Sequence, residues 1–134
     1  NHVVLNSISV EALDCVHPAS VSTDVFQQKW ETNEWESTVV VETDLTDLTQ
    51  FVDHLCQETH MACLTPHALF CDEIGFLAAN LYATTVFGDD VLANVSVQVK
   101  DGKIEGVVRI RSESQAVANT LCSKMSSCLR VNKN

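Results

Sequence analysis

The chain predicts an α+β domain, a mainly antiparallel sheet of about five strands flanked by helices, and three observations carry that expectation. Val91–Val99 and Ile104–Arg111 alternate with period two on either side of Asp101-Gly102, a dipeptide that favours the tight turn of a β-hairpin. Leu48, Phe51, Val52, Leu55 and Cys56 recur at spacings of three and four, the stripe of an amphipathic helix. The order along the chain reads strand, helix, strand, helix, strand, strand, strand, helix, so hairpin-linked strands dominate over parallel crossovers. At 134 residues and 46% hydrophobic content, residues 1–134 are expected to form one domain with a core of its own.

Taken in order, residues 3–17 alternate weakly and suggest a strand with a bulge, ended by Pro18. Ser22 is placed to cap a helix running to about Asn33, with Asp24 near its positive end and Val21 and Phe26 spaced as a hydrophobic staple. Thr38-Val39-Val40-Val41 is β-branched, which stops that helix and predicts a strand over Ser37–Thr43. Asp44–Thr59 is the helix with the apolar stripe, capped by Asp44 or Thr46. Residues 60–74 are ambiguous: Thr65-Pro66 suggests a turn, and His67–Cys71 a further helical turn. Gly75–Val86 is a nearly continuous apolar run and predicts a strand covered on both faces, followed by a turn at Gly88-Asp89-Asp90. After the hairpin, Ser112 or Ser114 caps a last helix with Val117, Leu121, Met125 and Cys128 inward, and Val131–Asn134 is expected to fray.

Composition narrows the function classes. The net charge of −10 disfavours nucleic acid, whose phosphates require clustered cations. That charge is uneven: residues 1–99 hold a single cation, Lys29, among fifteen acids, whereas residues 100–134 hold seven cations and three acids. No apolar run reaches the roughly 18 residues of a membrane span. The start lacks the basic-then-apolar layout of a signal peptide, and because residue 1 is Asn the chain is expected to be a fragment or a processed piece. The six cysteines are spread among apolar neighbours and read as free, buried thiols in a reducing compartment.

No catalytic constellation stands out, and no enzyme, metal or cofactor is expected. His60, Cys63, His67 and Cys71 are zinc-type ligands, yet their spacing matches no common zinc module. Asp72-Glu73 and Asp89-Asp90 read as solvated turns, and Asn94-Val95-Ser96 as a coincidental glycosylation match on a strand. What remains is a surface. Phe26 and Trp30 lie one helical turn apart, and Arg109 and Arg111 share a strand face, forked cations suited to carboxylates. Two readings stand side by side. Both tryptophans belong to the core, Trp35 at its helix–strand junction more than Trp30, and the arginines pair with the protein's own acids; or Trp30 is an exposed anchor flanked by arginines, ready for a short peptide with an aromatic residue and acids.

The stretch GFLAANLYATTVFGDDVLANVSV, Gly75 to Val97, resembles the C-terminal appendage of the β subunit of coatomer, the COPI vesicle coat, as do CLTP (Cys63–Pro66), VRIRSES (Val108–Ser114) and WETNEWES (Trp30–Ser37). The likeness runs from about Leu5 to Met125. More distantly the chain is similar to the platform subdomain of clathrin-adaptor appendages, which bind short aromatic–acidic motifs of accessory proteins. By that resemblance Phe26 and Trp30 form a pocket floor, Arg109 and Arg111 close it, and Gln98 with Ser96 line its rim, although family members can be basic at those last two places. It further implies a platform without the β-sandwich that precedes it in a full appendage. The expected role is a monomeric interaction platform, cytoplasmic and peripheral to Golgi membranes through the assembled coat, partnered by other coatomer subunits and accessory proteins. The alternative is a structural domain packed against another coat subunit.

Overall fold

A computed structural model describes residues 17–43, 47–71 and 75–129, with the backbone course alone for 65–71 and 128, and these described residues form six strands and three helices. The elements are β1 (His17–Pro18), α1 (Thr23–Thr32), β2 (Trp35–Thr43), α2 (Leu48–Thr59), β3 (Ala62–Cys71), β4 (Phe76–Thr84), β5 (Asp90–Lys100), β6 (Lys103–Ser112) and α3 (Gln115–Cys128). The strands form one antiparallel sheet in the order β1-β4-β5-β6-β2, with β3 also paired to β4. The architecture is α+β.

Local chemistry sets the ends of each element. Ser22 caps α1, its Oγ accepting from the Val25 N–H at 3.3 Å. Helix α2 starts later than the sequence suggests. Its cap is Asp47, whose carboxylate accepts from the Thr49 and Gln50 N–H groups at 2.9 and 3.2 Å, while Asp44 and Thr46 lie outside the described residues. Ser114 caps α3, and Ser112 is instead buried with its hydroxyl donating to the Asp90 carbonyl. The β5–β6 hairpin turns at Asp101 and Gly102, at φ 54° and 76°, the paired positive values of the turn that its dipeptide favours.

Two expectations need correction. The segment 60–74 is neither turn nor helix over most of its length, because Ala62–Cys71 runs as strand β3 along β4. The pairing slips between Leu64 and Leu69, so the irregularity at Thr65-Pro66 interrupts the ladder without ending the strand, as an edge position permits for proline. Pro18 closes β1, as its position in the sequence predicts, opposite Ala83 at the sheet edge; the expected strand over 3–17 is described only at His17. Trp35 is 45% exposed where a core position was expected. It opens the outermost strand at the end of the sheet, opposite Ser112. The expected inward Cys128 side chain and the tail 131–134 lie outside the described side chains.

The two faces of the sheet are covered unequally. Val39 and Val41 of β2, alternate residues of β4, β5 and β6, Phe51 and Leu55 of α2, and Leu121 and Met125 of α3 form the main core. On the opposite face Phe26, Leu64, Tyr82 and Leu92 form a smaller cluster beneath α1, with Ala19, Val21 and Trp30 against it. Helix α1 reaches only one end of that face. Beyond it the sheet shows Asn80, Asn94, Ser96, Thr38, Val40 and Gln98, none of them buried. This half-open face is where the candidate residues meet.

Candidate functional site

Phe26 is 4% exposed and anchors α1 in the small cluster. Trp30, one turn later, follows it onto the sheet, and the rings stack with centroids 6.0 Å apart at 23°. Trp30 is half-buried, its indole flanked by two cations from β6. The Arg111 guanidinium lies 4.7 Å from the ring centroid and that of Arg109 5.4 Å. They reach it because residues two apart on a strand share a face, and β6 runs beside β5 beneath the helix. Arg111 also donates from Nη1 to the Trp30 carbonyl at 2.6 Å, tying the last turn of α1 to the sheet.

Both arginines also hold one carboxylate. Glu36 of β2 stands directly opposite Arg111 and diagonal to Arg109. It accepts from Arg111 Nε at 2.8 Å and from Arg109 Nε and Nη2 at 3.1 and 3.3 Å. The hydrogen bonds from Arg109, then those from Arg111, hold the Glu36 carboxyl below its ordinary range, and Glu36 in turn raises Arg109. The side chains are 25–43% exposed, so the triad is a wet surface network. The two sequence readings thus coexist: these arginines pair with an internal acid and also flank the tryptophan.

A second polar group fixes the other side of the helix. Lys29 contacts both oxygens of Asp90 at 3.1 and 3.3 Å, and the Tyr82 hydroxyl donates to the same carboxylate at 2.6 Å. Burial and that acid push the Tyr82 phenol well above its ordinary value. Neither Glu36 nor this clamp was singled out from sequence. Nothing local marks them, because their partners lie 73, 75, 61 and 8 residues away.

Gln98 is not part of this cluster. It lies four residues along β5 from Asn94, the partner of Arg109, and therefore about 13 Å further down the sheet. There it lines a separate shallow groove of about 350 Å³ with Phe76, Ser96, Glu105, Gly106 and Val107. Ser96, the other expected rim residue, sits in that same groove.

Among the described residues no three His, Cys, Asp or Glu side chains gather as metal ligands, and the side chains of His67 and Cys71 fall outside that set. Cys56, Cys63 and Cys122 are free and half-buried, and burial raises all three thiols, Cys56 to about 12, which keeps it protonated and a poor nucleophile. Among the described residues no helix is long and apolar enough to cross a membrane.

Comparison with known proteins agrees with the fold. A sequence profile described as the coatomer beta subunit appendage platform matches residues 1–125. Coatomer subunit beta of Drosophila melanogaster is 43% identical over 131 residues, an alignment covering 95% of this chain and 14% of that protein. Coatomer subunit beta-1 of Oryza sativa subsp. japonica is 44% identical over 124 residues, covering 92% and 13%. Coatomer subunit beta of Rattus norvegicus is 42% identical over 130 residues, covering 93% and 14%. The chain therefore spans about one seventh of the length of these relatives.

Proposed function

The chain belongs to the coatomer β-subunit appendage platform family, and from that premise we propose that it is a non-catalytic interaction platform of the COPI coat that captures short peptides of accessory or regulatory proteins. The observation that carries this reading is the half-buried Trp30 indole flanked by the Arg109 and Arg111 guanidiniums on a face that α1 leaves partly open. An indole supplies flat apolar area at little entropic cost, and guanidiniums with unused N–H donors recruit carboxylates, so the complementary guest is an extended peptide with an aromatic residue and an acid. A single such contact is weak; repeated platforms on an assembled coat convert it into selective capture by raising the effective concentration. Within the same proposal the domain works on the cytosolic side of Golgi membranes, in Golgi-to-ER and intra-Golgi transport, attached through the other coatomer subunits.

Trp30→Ala tests the reading. The variant is expected to keep its circular dichroism spectrum, lose about 1–2 kcal/mol of stability, and weaken binding of an aromatic–acidic peptide by more than about tenfold. Unchanged capture of partners from cytosol would sink the proposal.

The second reading, docking against another coat subunit, draws on a different observation. Trp35, Val86 and Phe87 are 45%, 46% and 71% exposed at the same end of the sheet, around the β4–β5 turn and the start of β2. If docking dominates, Phe87→Ser reduces incorporation into coatomer while Trp30→Ala does not.

A further inference from the structure

The arginine pair that flanks Trp30 already holds an acid, and we infer that Glu36 is a resident ligand of that pair, setting how many carboxylates a guest can bring. The inference rests on the peptide-capture reading and deepens it.

Three geometric facts lead there. Glu36 takes the inner donors of both forks, Nε of each arginine and Nη2 of Arg109, in the arrangement a guest carboxylate would adopt. Arg111 does not depend on Glu36 for its position, because its Nη1 is fixed on the Trp30 carbonyl and its plane lies near the indole. The outer donors, Nη1 of Arg109 and Nη2 of Arg111, make no hydrogen bond among the described residues. Two guanidiniums against one carboxylate leave a single net positive charge beside the ring. A guest with one acid balances that charge on the outer donors. A guest with two acids must compete with Glu36 for the inner ones. Glu36 is therefore a specificity-determining residue: it favours singly acidic aromatic peptides over doubly acidic ones, and its removal reverses the order.

The test uses the full chain and three labelled glycine–serine peptides, each with one central phenylalanine and carrying no aspartate, one or two, with binding read by fluorescence anisotropy. Glu36→Gln keeps the shape and an acceptor oxygen while deleting the charge. It is expected to tighten the doubly acidic peptide by about fivefold, the size of an exposed charge pair, to tighten the singly acidic one less, and to leave the neutral one unchanged. Both gains, and the affinity for all three peptides, should vanish on adding Trp30→Ala. If wild-type binding depends on Trp30 while Glu36→Gln binds every peptide equally well or more weakly than wild type, Glu36 merely positions the arginines and the inference fails, though peptide capture stands. A uniform gain that ignores the number of acids overturns it as well. If no peptide shows Trp30-dependent binding to either form, peptide capture itself fails and takes the inference with it.

Discussion

Trp30 is half-buried because Phe26 and two guanidiniums lie against it, and each contact has a different physical origin. The stacking follows from helical spacing, which a sequence shows; the cation contacts follow from strand adjacency, which it does not. A partly exposed cation–π contact is worth about 0.5–1 kcal/mol, so two arginines hold the ring in place without sealing it off. Glu36 shows how the same charges respond to pH. Its folded pKa is depressed, so the stability that its pairing contributes is present above the ordinary carboxyl value of 4.5 and is lost as pH falls through the lower native value. Because the triad is solvent-exposed, that contribution is small, well under the full Coulomb estimate. Carboxyl chemical shifts followed by NMR should show Glu36 protonating below the ordinary carboxyl value of 4.5; a midpoint at that value would mean that the arginines do not hold it in solution.

At the scale of elements, the legible parts were those whose signal is local. The α1 cap at Ser22, the α2 stripe and the Asp101-Gly102 hairpin are written within a few residues of each other, and the structure has each of them. Strand β3 was hidden because Thr65-Pro66 breaks its pattern, and only pairing with β4 restores it. Trp35 was misplaced because hydrophobicity favours the core, whereas at the end of the outermost strand no element among the described residues covers it. Gly106 is a further case of meaning that lies in pairing. At φ 153° it sits in β6 facing Val97, and a side chain there would drive a Cβ into the Ser96 carbonyl and to 2.7 Å from the Val97 Cα. Since the obstruction is backbone, no side chain can swing away. Gly106→Ala is expected to cost about 2–4 kcal/mol, from backbone strain and a forced strand separation together, seen as a lower midpoint of denaturant unfolding. An unchanged midpoint would show that β5 and β6 part there without loss.

For the molecule as a whole, the candidate site was half legible. Residue types named Phe26, Trp30, Arg109 and Arg111, and the fold joins all four; Gln98 was named with them, yet strand register carries it to the far groove. Register also brings in Glu36, across a sheet that no local pattern encodes. The unequal cover of the two faces has a dynamic consequence. Helix α1 has one buried side chain, Phe26, whereas α2 has five, so α1 is held largely by its polar ties to Asp90 and from Arg111. Elements with few buried contacts open locally, at a fraction of the global unfolding free energy. Amide exchange in α1 should accordingly outpace that of α2 and of the central strand β5. Asp90→Asn, which removes the counter-charge of Lys29 while leaving an oxygen for Tyr82, should speed exchange in α1 by about fivefold. The thermal midpoint should barely move, because the main core on the opposite face contains neither group. If α1 instead exchanges together with β5 in both forms, the helix belongs to the global folding unit and the floor beneath a guest at Trp30 is rigid; if it opens on its own, a bound guest should slow that opening, linking occupancy of the face to order in the helix.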